Sequence, residues 1–468
     1  MRIPRLFALA VAGALLLSGC ASLPRDRGSA GIDALLKARG TPAPAWPRDE
    51  APAAEKPTGR ILTLRQSVEL AFTRSPVIRQ QYAELGLASA DHFDATKLPS
   101  LGLEYSRMAF RDDHTKLTRG LSLALADVLL MPSRARIARE NLAGTRERVA
   151  AAIGDLEADV ETAWFEYSAA LQTADVQARA ARVARVSAEY ARSLHAAGNL
   201  PARALAQELA AASGADIASA RAQAKAVEAR ANFATLVGLS VREDWRVAAQ
   251  LPALPHHDDT PAGLLEASLE SRLDIAAARR EADSLERGWR LSRNWRWLGE
   301  FEAGYEWERD HRESLRGPSF RLNLPLFHWN RGGVLRARSA MEAARVNLEA
   351  LELGAANDIS ARLDHLASAR RIAEIYRDTL LPQREAVSAR IQEEVNFMLV
   401  GAFEALAARR EQFDAYHEYV DAVRDYWLAR VELRRASGGA LAPADSTESL
   451  QLESAPAAGS HSHHGAHR

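Results

Sequence analysis

The chain has 468 residues, with 60 lysines and arginines against 61 aspartates and glutamates, so no charge excess points to nucleic acid. Its single cysteine excludes an internal disulfide and a cysteine-built zinc or iron–sulfur site. Alanine is abundant and aromatics are only 6%, a mixture that suits long helices packed through small side chains.

The first element is a leader. Arg2 and Arg5 precede an apolar run from Leu6 to Leu17, long enough for a signal-peptide core and too short to span a bilayer. Leu17-Ser18-Gly19-Cys20 resembles a bacterial lipobox. The resemblance implies removal of residues 1–19 and acylation of Cys20, and more than one acyl chain makes such anchoring stable. The alternative is an ordinary secretory signal with an incidental cysteine. By resemblance to bacterial lipoproteins, the absence of Asp at Ala21 implies sorting to the outer membrane. Elsewhere no apolar stretch reaches the length of about eighteen residues that a membrane helix needs. Residues 20–63 form the arm that would carry the lipid. With Pro42, Pro44, Pro47, Pro52 and Pro57 it reads as extended or wrapping.

Residues 64–250 form a first repeat. Thr63 is placed to cap a helix running to about residue 97. Leu101, Leu103 and Tyr105 then alternate with polar or small residues, and so do Leu121, Leu123 and Leu125 beyond a polar loop. Period two on both sides of a loop predicts a β-hairpin with one apolar face. Pro132-Ser133 is read as its end, with Ser133 capping a helix to about residue 195. Apolar or small residues at Ile153, Leu156, Val160, Ala163, Tyr167, Ala170 and Ala174 give that helix a coiled-coil spacing. Gly198-Asn199-Leu200-Pro201 breaks it, and a second helix runs to about residue 237. Residues 251–263 are a linker.

The programme then repeats over residues 264–439. A helix reaches about residue 295. Phe301, Ala303, Tyr305 and Trp307 alternate with Glu300, Glu302, Glu306 and Glu308, and Phe320, Leu322 and Leu324 alternate with Arg321 and Asn323. A long helix spans about residues 334–394 with Pro382 inside, residues 395–401 break it, and a last helix follows. The offset is about 200 residues, so that Tyr105 matches Tyr305. Residues 440–468 are a His-rich tail. The predicted fold class is mainly α with β-hairpins: a duplicated long-helix, coiled-coil architecture with four membrane strands. Four strands cannot close a barrel, and an open edge in lipid leaves backbone groups without partners. Either several copies share one barrel, or the hairpins are soluble and covered by helices. Only under the second reading are their leucines buried.

The order helix, hairpin, long helix, break, helix, repeated once, resembles the outer-membrane efflux proteins, the TolC-like exit ducts. "FRLNLPLFHWNRGG" (320–333) and "VGAFEALAARREQFDAYHEYVDAVRDYWLARVELRRASGG" (400–439) carry the resemblance best. It implies a homotrimer with a twelve-stranded barrel and a periplasmic helical tunnel. It also implies a periplasmic adaptor protein and an inner-membrane pump as partners. The alternative from another class is a periplasmic adaptor or tether; the duplication and the two amphipathic hairpins argue against it.

The tips of the tunnel are expected at residues 197–201 and 395–401. In the family, acids early in the last helix ring the aperture. Glu404 matches the first such position and Ala407 stands at the second, so Glu404 acts alone or with Glu393 and Glu394. Phe397-Met398-Leu399 is read as packing against the adaptor. Glu300, Glu302, Glu306 and Glu308 are expected to face the barrel lumen, with Arg321 neutralising part of their charge. His461, His463, His464 and His467, with His256-His257-Asp258-Asp259 on the linker, suggest metal-ion export, of copper, silver or zinc; drugs or other small molecules are the alternative cargo. Tyr426 and Trp427 are read as packing residues. No nucleophile–base pair, phosphate loop or H-E-x-x-H motif indicates an enzyme, and no cofactor is expected.

Overall fold

In the computed structural model, the structure describes residues 26–46, 59–109, 115–258, 263–310, 313–324 and 327–441. Cys20, Asp259 and the tail histidines lie outside them. The chain divides into two compact units, each assembled from three segments: Met1–Ala51, Val77–Gly154 and Glu266–Asn357 in one, Pro52–Pro76, Asp155–Leu265 and Asp358–Arg468 in the other.

In the first unit, the proline-rich arm is not simply extended. Helix α1 (Ala30–Lys37) buries Ile32 and Leu36 completely. Trp46 packs its ring 5.7 Å from that of Tyr82 and donates its indole N–H to Asp33 at 2.8 Å. Two apolar residues four apart, one turn of helix, are enough to dock so short a segment against a larger core.

The first repeat opens with strand β1 (Arg60–Leu62) and helix α2 (Leu64–Arg74). Thr63 caps α2 as its position predicts. Its Oγ1 accepts from the Gln66 N–H at 3.2 Å, and the Gln66 side chain accepts from the Thr63 N–H at 3.1 Å, a reciprocal capping box. The single helix expected to reach about residue 97 is instead two. Ser75 is extended, with ψ 134°, and α3 (Pro76–Ala95) starts at Pro76. The residue before proline is pushed out of the helical region, and proline at a first helical position loses no hydrogen bond.

Strands β2 (Leu101–Ala109) and β3 (Thr115–Ala124) follow, and α4 (Leu125–Ala196) leaves β3 without a loop. This helix of 72 residues begins eight residues before Ser133 and runs through Pro132. Proline's φ is already helical, so the chain continues at the loss of one bond to the carbonyl of Val128. Helix α5 (Ala202–Val237) and strand β4 (Trp245–Val247) complete the repeat, and β4 pairs in parallel with β1. That pairing, with three residues on each side, is too short to carry a periodic signal.

In the second repeat, α6 (Leu264–Ser271) and α7 (Leu273–Asn294) lead into β5 (Glu300–Asp310) and β6 (Glu313–Asn323). The long helix expected up to about residue 394 is divided. Helix α8 (Arg331–Ile375) passes through a π-helical turn, Tyr376–Leu380, into α9 (Leu381–Asn396). The Leu381 N–H donates to the carbonyl of Tyr376, five residues back, just before Pro382. The wider turn accommodates a residue that cannot donate and whose ring would clash with the preceding turn. Helix α10 (Ala402–Ala436) ends the described fold.

Both hairpins join in one antiparallel sheet of order β2–β3–β5–β6, with β3 paired to β5 from Lys116↔Asp310 to Ala124↔Glu302. The sheet leaves β2 and β6 as edges without a partner strand among the described residues. Its apolar rows are exposed on the edge strands, where Leu103 is 84%, Tyr105 68% and Phe320 70% accessible, and half-buried at Leu121 and Leu123 on the central strand β3. The alternative reading, in which helices of a soluble fold bury these leucines, is therefore not met.

In the second unit the core is aromatic. Phe165 on α4 stacks on Trp427 of α10 at 5.2 Å, and Trp245 lies among Tyr167, Phe233 and the guanidinium of Arg230. Tyr426 and Trp427 are buried, as their reading as packing residues requires.

Candidate functional site: a two-faced sheet and paired helical tips

The register assigns each strand residue to a face, because successive side chains alternate. Leu103, Leu121, Tyr305 and Pro318 form one cross-strand row, and Leu101, Leu123, Ala303 and Phe320 the next. On the opposite face Gly102, Ser122, Gly304 and Ser319 form a row, and Glu104, Gly120, Glu306 and Gly317 the one beside it. Glu300, Glu302, Glu306 and Glu308 all share that polar face. Over its helix-side half one wall of the sheet is thus oily and the other acidic, the division a barrel between lipid and water requires; farther along, Arg119 and Arg316 join Tyr105 and Trp307 on the first wall.

The acids on the polar face differ in their partners. Arg321 pairs with Glu302 at 3.0 Å, Lys116 with Glu308 at 2.7 Å, and the Asn323 amide donates to Glu300 at 2.9 Å. Glu306 has no ion-pair partner among the described residues, and neither has Glu104. Both lean over Gly120: the position of a β-carbon there is 3.2 Å from Glu104 Cβ and 3.5 Å from Glu306 Cγ. Arg321 was legible in the sequence as a neutralising residue, but Lys116 and the unpaired Glu104 were missed. Glu104 sits on the alternating polar positions of β2, so its face was readable; its pairing with the Glu306 row required the β3–β5 register.

The two helical tips are built alike. At the end of α4 the Asn199 N–H donates to the carbonyl of Leu194 at 2.8 Å, with Gly198 at φ 76°. At the end of α9 the Leu399 N–H donates to the carbonyl of Glu394 at 2.9 Å, with Met398 at φ 58°. The next helix then starts from an extended residue, Pro201 (ψ 149°) or Gly401 (ψ 155°). The offset is 200 residues, so the duplication extends to individual hydrogen bonds. Glycine adopts this left-handed conformation freely, whereas a residue with a Cβ is strained there by about 1–2 kcal/mol. Met398 therefore holds a strained position while its side chain is 93% exposed, and Phe397 and Leu399 beside it are also exposed. Glu393, Glu394 and Glu404 flank this turn, all exposed and without an ion-pair partner among the described residues.

The linker is pinned rather than free. Asp258 accepts from Tyr426 Oη at 2.5 Å and from Arg370 at 2.7 and 3.2 Å, with Arg430 at 3.6 Å. Burial pushes the Tyr426 phenol up, and its bond to Asp258 adds to the effect. Trp427 donates its indole N–H to the Pro252 carbonyl at 3.0 Å. Asp258 thus serves as a tether, and no group of three potential metal ligands occurs among the described residues.

A second ionic cluster, missed in the sequence, joins α4 to α10. Arg434 donates to Glu157 at 3.1 Å and to Glu161 at 2.5 Å, all three nearly buried. Burial pushes the Glu161 carboxyl up to about 7; Arg434 opposes the effect and Glu157 reinforces it. The available signal was that Glu157 and Glu161, like Arg430 and Arg434, are spaced four apart inside apolar helices.

No protein-family model matches the sequence, and no curated protein matches it. Solved structures do. The CmeC outer membrane channel of Campylobacter jejuni superposes with a TM-score of 0.71 at 15% identity, over 84% of this chain and 91% of that one. The open state of the Neisseria gonorrhoeae MtrE outer membrane channel gives 0.67 at 18% identity, over 84% and 98%. CusC, whose structures concern folding and transmembrane channel formation, gives 0.66 at 16% identity, over 84% and 99%. The chain has the TolC-like fold of these channels, long helices joined to a four-stranded portion of a barrel. At these identities the likeness is one of fold.

Proposed function

We propose that this protein is an outer-membrane exit duct of a tripartite efflux pump, in which three copies pool their sheets into one twelve-stranded barrel. The observation that carries the reading is the four-stranded sheet itself, with an uncovered apolar face and two unpaired edges. In water the apolar face would aggregate, and in lipid a solitary copy would leave the edge N–H and C=O groups unsatisfied. Neighbouring copies that pair β2 with β6 remove both difficulties. Cys20 carries the lipid anchor, and the helices form a passive tunnel on the periplasmic side. Phe397, Met398 and Leu399 meet the adaptor protein, and an inner-membrane pump supplies the energy. Glu404 constricts the closed aperture, with Glu393 and Glu394 nearby. The cargo is a cation, copper, silver or zinc among the candidates. The unpaired Glu104 and Glu306 support this, since unneutralised carboxylates on one wall concentrate cations.

Planar-bilayer recording of the purified protein tests both parts. Discrete conducting steps with a reversal potential displaced toward cation selectivity are expected. Glu104→Gln/Glu306→Gln should reduce that selectivity, and Glu404→Ala should raise closed-state conductance. Protein that never conducts, with or without adaptor, defeats the duct. Conduction without cation preference defeats the cargo assignment alone, and an unchanged E404A removes the gate.

A further inference from the structure

Residues 289–298 read Trp-Arg-Leu-Ser-Arg-Asn-Trp-Arg-Trp-Leu: three of the chain's nine tryptophans and three arginines in one stretch, without an acid. Nothing in a conducting tunnel requires this composition. The segment is the last turn of α7 and the link into β5. Trp295 and Trp297 stack at 5.8 Å, and the Trp297 indole donates to the Asn294 carbonyl at 3.1 Å while the residue stays 49% exposed. The Arg293 guanidinium lies 4.7 Å from the Trp289 ring centre. Arg290, Arg293 and Arg296 are all exposed; Arg290 pairs with Glu286 one turn back, and Arg296 has no protein partner among the described residues.

The placement gives the composition its meaning. Glu300↔Asn323, Ala124↔Glu302 and Leu101↔Leu123 bring the helix-side ends of all four strands level. Aromatic and cationic side chains recur at that level. Lys97 lies 4.5 Å from the Phe93 ring centre just before β2, and exposed Phe327 and Trp329 follow β6, with Arg331 next. This is the level at which the apolar rows of the sheet give way to helices. Indole rings settle at head-group depth, and guanidinium groups match phosphate oxygens through paired N–H donors.

We propose that this collar binds the phosphate head groups of anionic phospholipid in the leaflet nearest the helices. Arg290, Arg293 and Arg296 supply the charge, and Trp289, Trp295 and Trp297 the interfacial anchor. The inference rests on the membrane placement proposed above. It is tested on the intact protein in nanodiscs of equimolar phosphatidylglycerol and phosphatidylcholine, with retained lipid read by native mass spectrometry and conductance read in parallel. Wild type should retain phosphatidylglycerol preferentially, and excess inorganic phosphate should not displace it. Arg296→Gln, which breaks no bond within the protein, should lower that preference about fivefold; the double variant R293Q/R296Q should lower it further, by a similar factor for the second charge. Both variants should still conduct. Variants that conduct and keep the wild-type lipid preference overturn the collar and leave the duct standing. Displacement by inorganic phosphate overturns the lipid assignment. A wild type that neither inserts nor conducts removes the duct, and the collar with it.

Discussion

Glu161 shows how one carboxyl can make a helical seam sensitive to pH. It shares the Arg434 guanidinium with Glu157, and burial holds its carboxyl near 7 against an ordinary 4.5. Its folded-state pKa is raised, so the native state binds the proton more tightly than the unfolded chain. The stabilisation is fully present below about pH 4.5 and is lost as pH rises through about 7. Over that window wild type should lose up to about 3 kcal/mol relative to Glu161→Gln, which keeps the shape and an acceptor for Arg434. Thermal melts of both proteins in detergent between pH 5 and 8 check this; parallel pH profiles would refute it. The acids at 157 and 161 stand in the sequence as two of 61, and their burial depends on α10 packing against α4. The acids of the polar strand face were more legible, because strand alternation alone assigns Glu300, Glu302, Glu306 and Glu308 to one face. Which of them retain an unneutralised charge depended on Arg321 lying directly across from Glu302 and on Lys116, opposite Asp310, reaching Glu308 two residues along.

At the scale of elements, breaks in the helices mark the architecture. Ser75-Pro76, Gly198 to Pro201 and Gly238 end helices by ordinary local chemistry. Gly238 does more: at φ 76° it closes α5, and a β-carbon there would stand 2.7 Å from the Arg74 carbonyl oxygen. Gly238→Ala therefore meets both a left-handed backbone and a backbone clash. It should destabilise the second unit by about 1–3 kcal/mol, seen as a lower melting temperature and faster exchange of the α5 amides. A substitution without effect would mean that α2 can shift away from this contact. Pro132 and Pro382 show the limits of reading breaks from sequence. The first is carried within a helix because one lost bond is small beside the packing of 72 residues, and the second is accommodated by a π-turn. Local propensity marked both places, and tertiary packing determined the outcome.

For the molecule as a whole, each of the two units draws its segments from both repeats, so the duplication did not produce two independent domains. In the proposed trimer the sheet is finished by copies of itself. In that assembly the acidic face would encircle the pathway, where repeated carboxylates favour a cation. Deleting this protein should sensitise the host to copper, silver or zinc more than to organic drugs, measured as growth inhibition across both panels. Sensitivity confined to organic compounds would transfer the duct to the alternative cargo.

The sequence by itself determined the repeat of about 200 residues, the alternating hairpins, the helix-breaking tips and the face on which each strand acid lies. All of these follow from periodicity and local backbone preference, which are encoded within a few residues. Only the tertiary structure decided that β3 pairs with β5, that β1 pairs with β4, that Asp258 is a tether and that Glu161 is buried. Those depend on groups tens to hundreds of residues apart in the chain, and their burial, charge and pairing exist only once packing has removed water from between them.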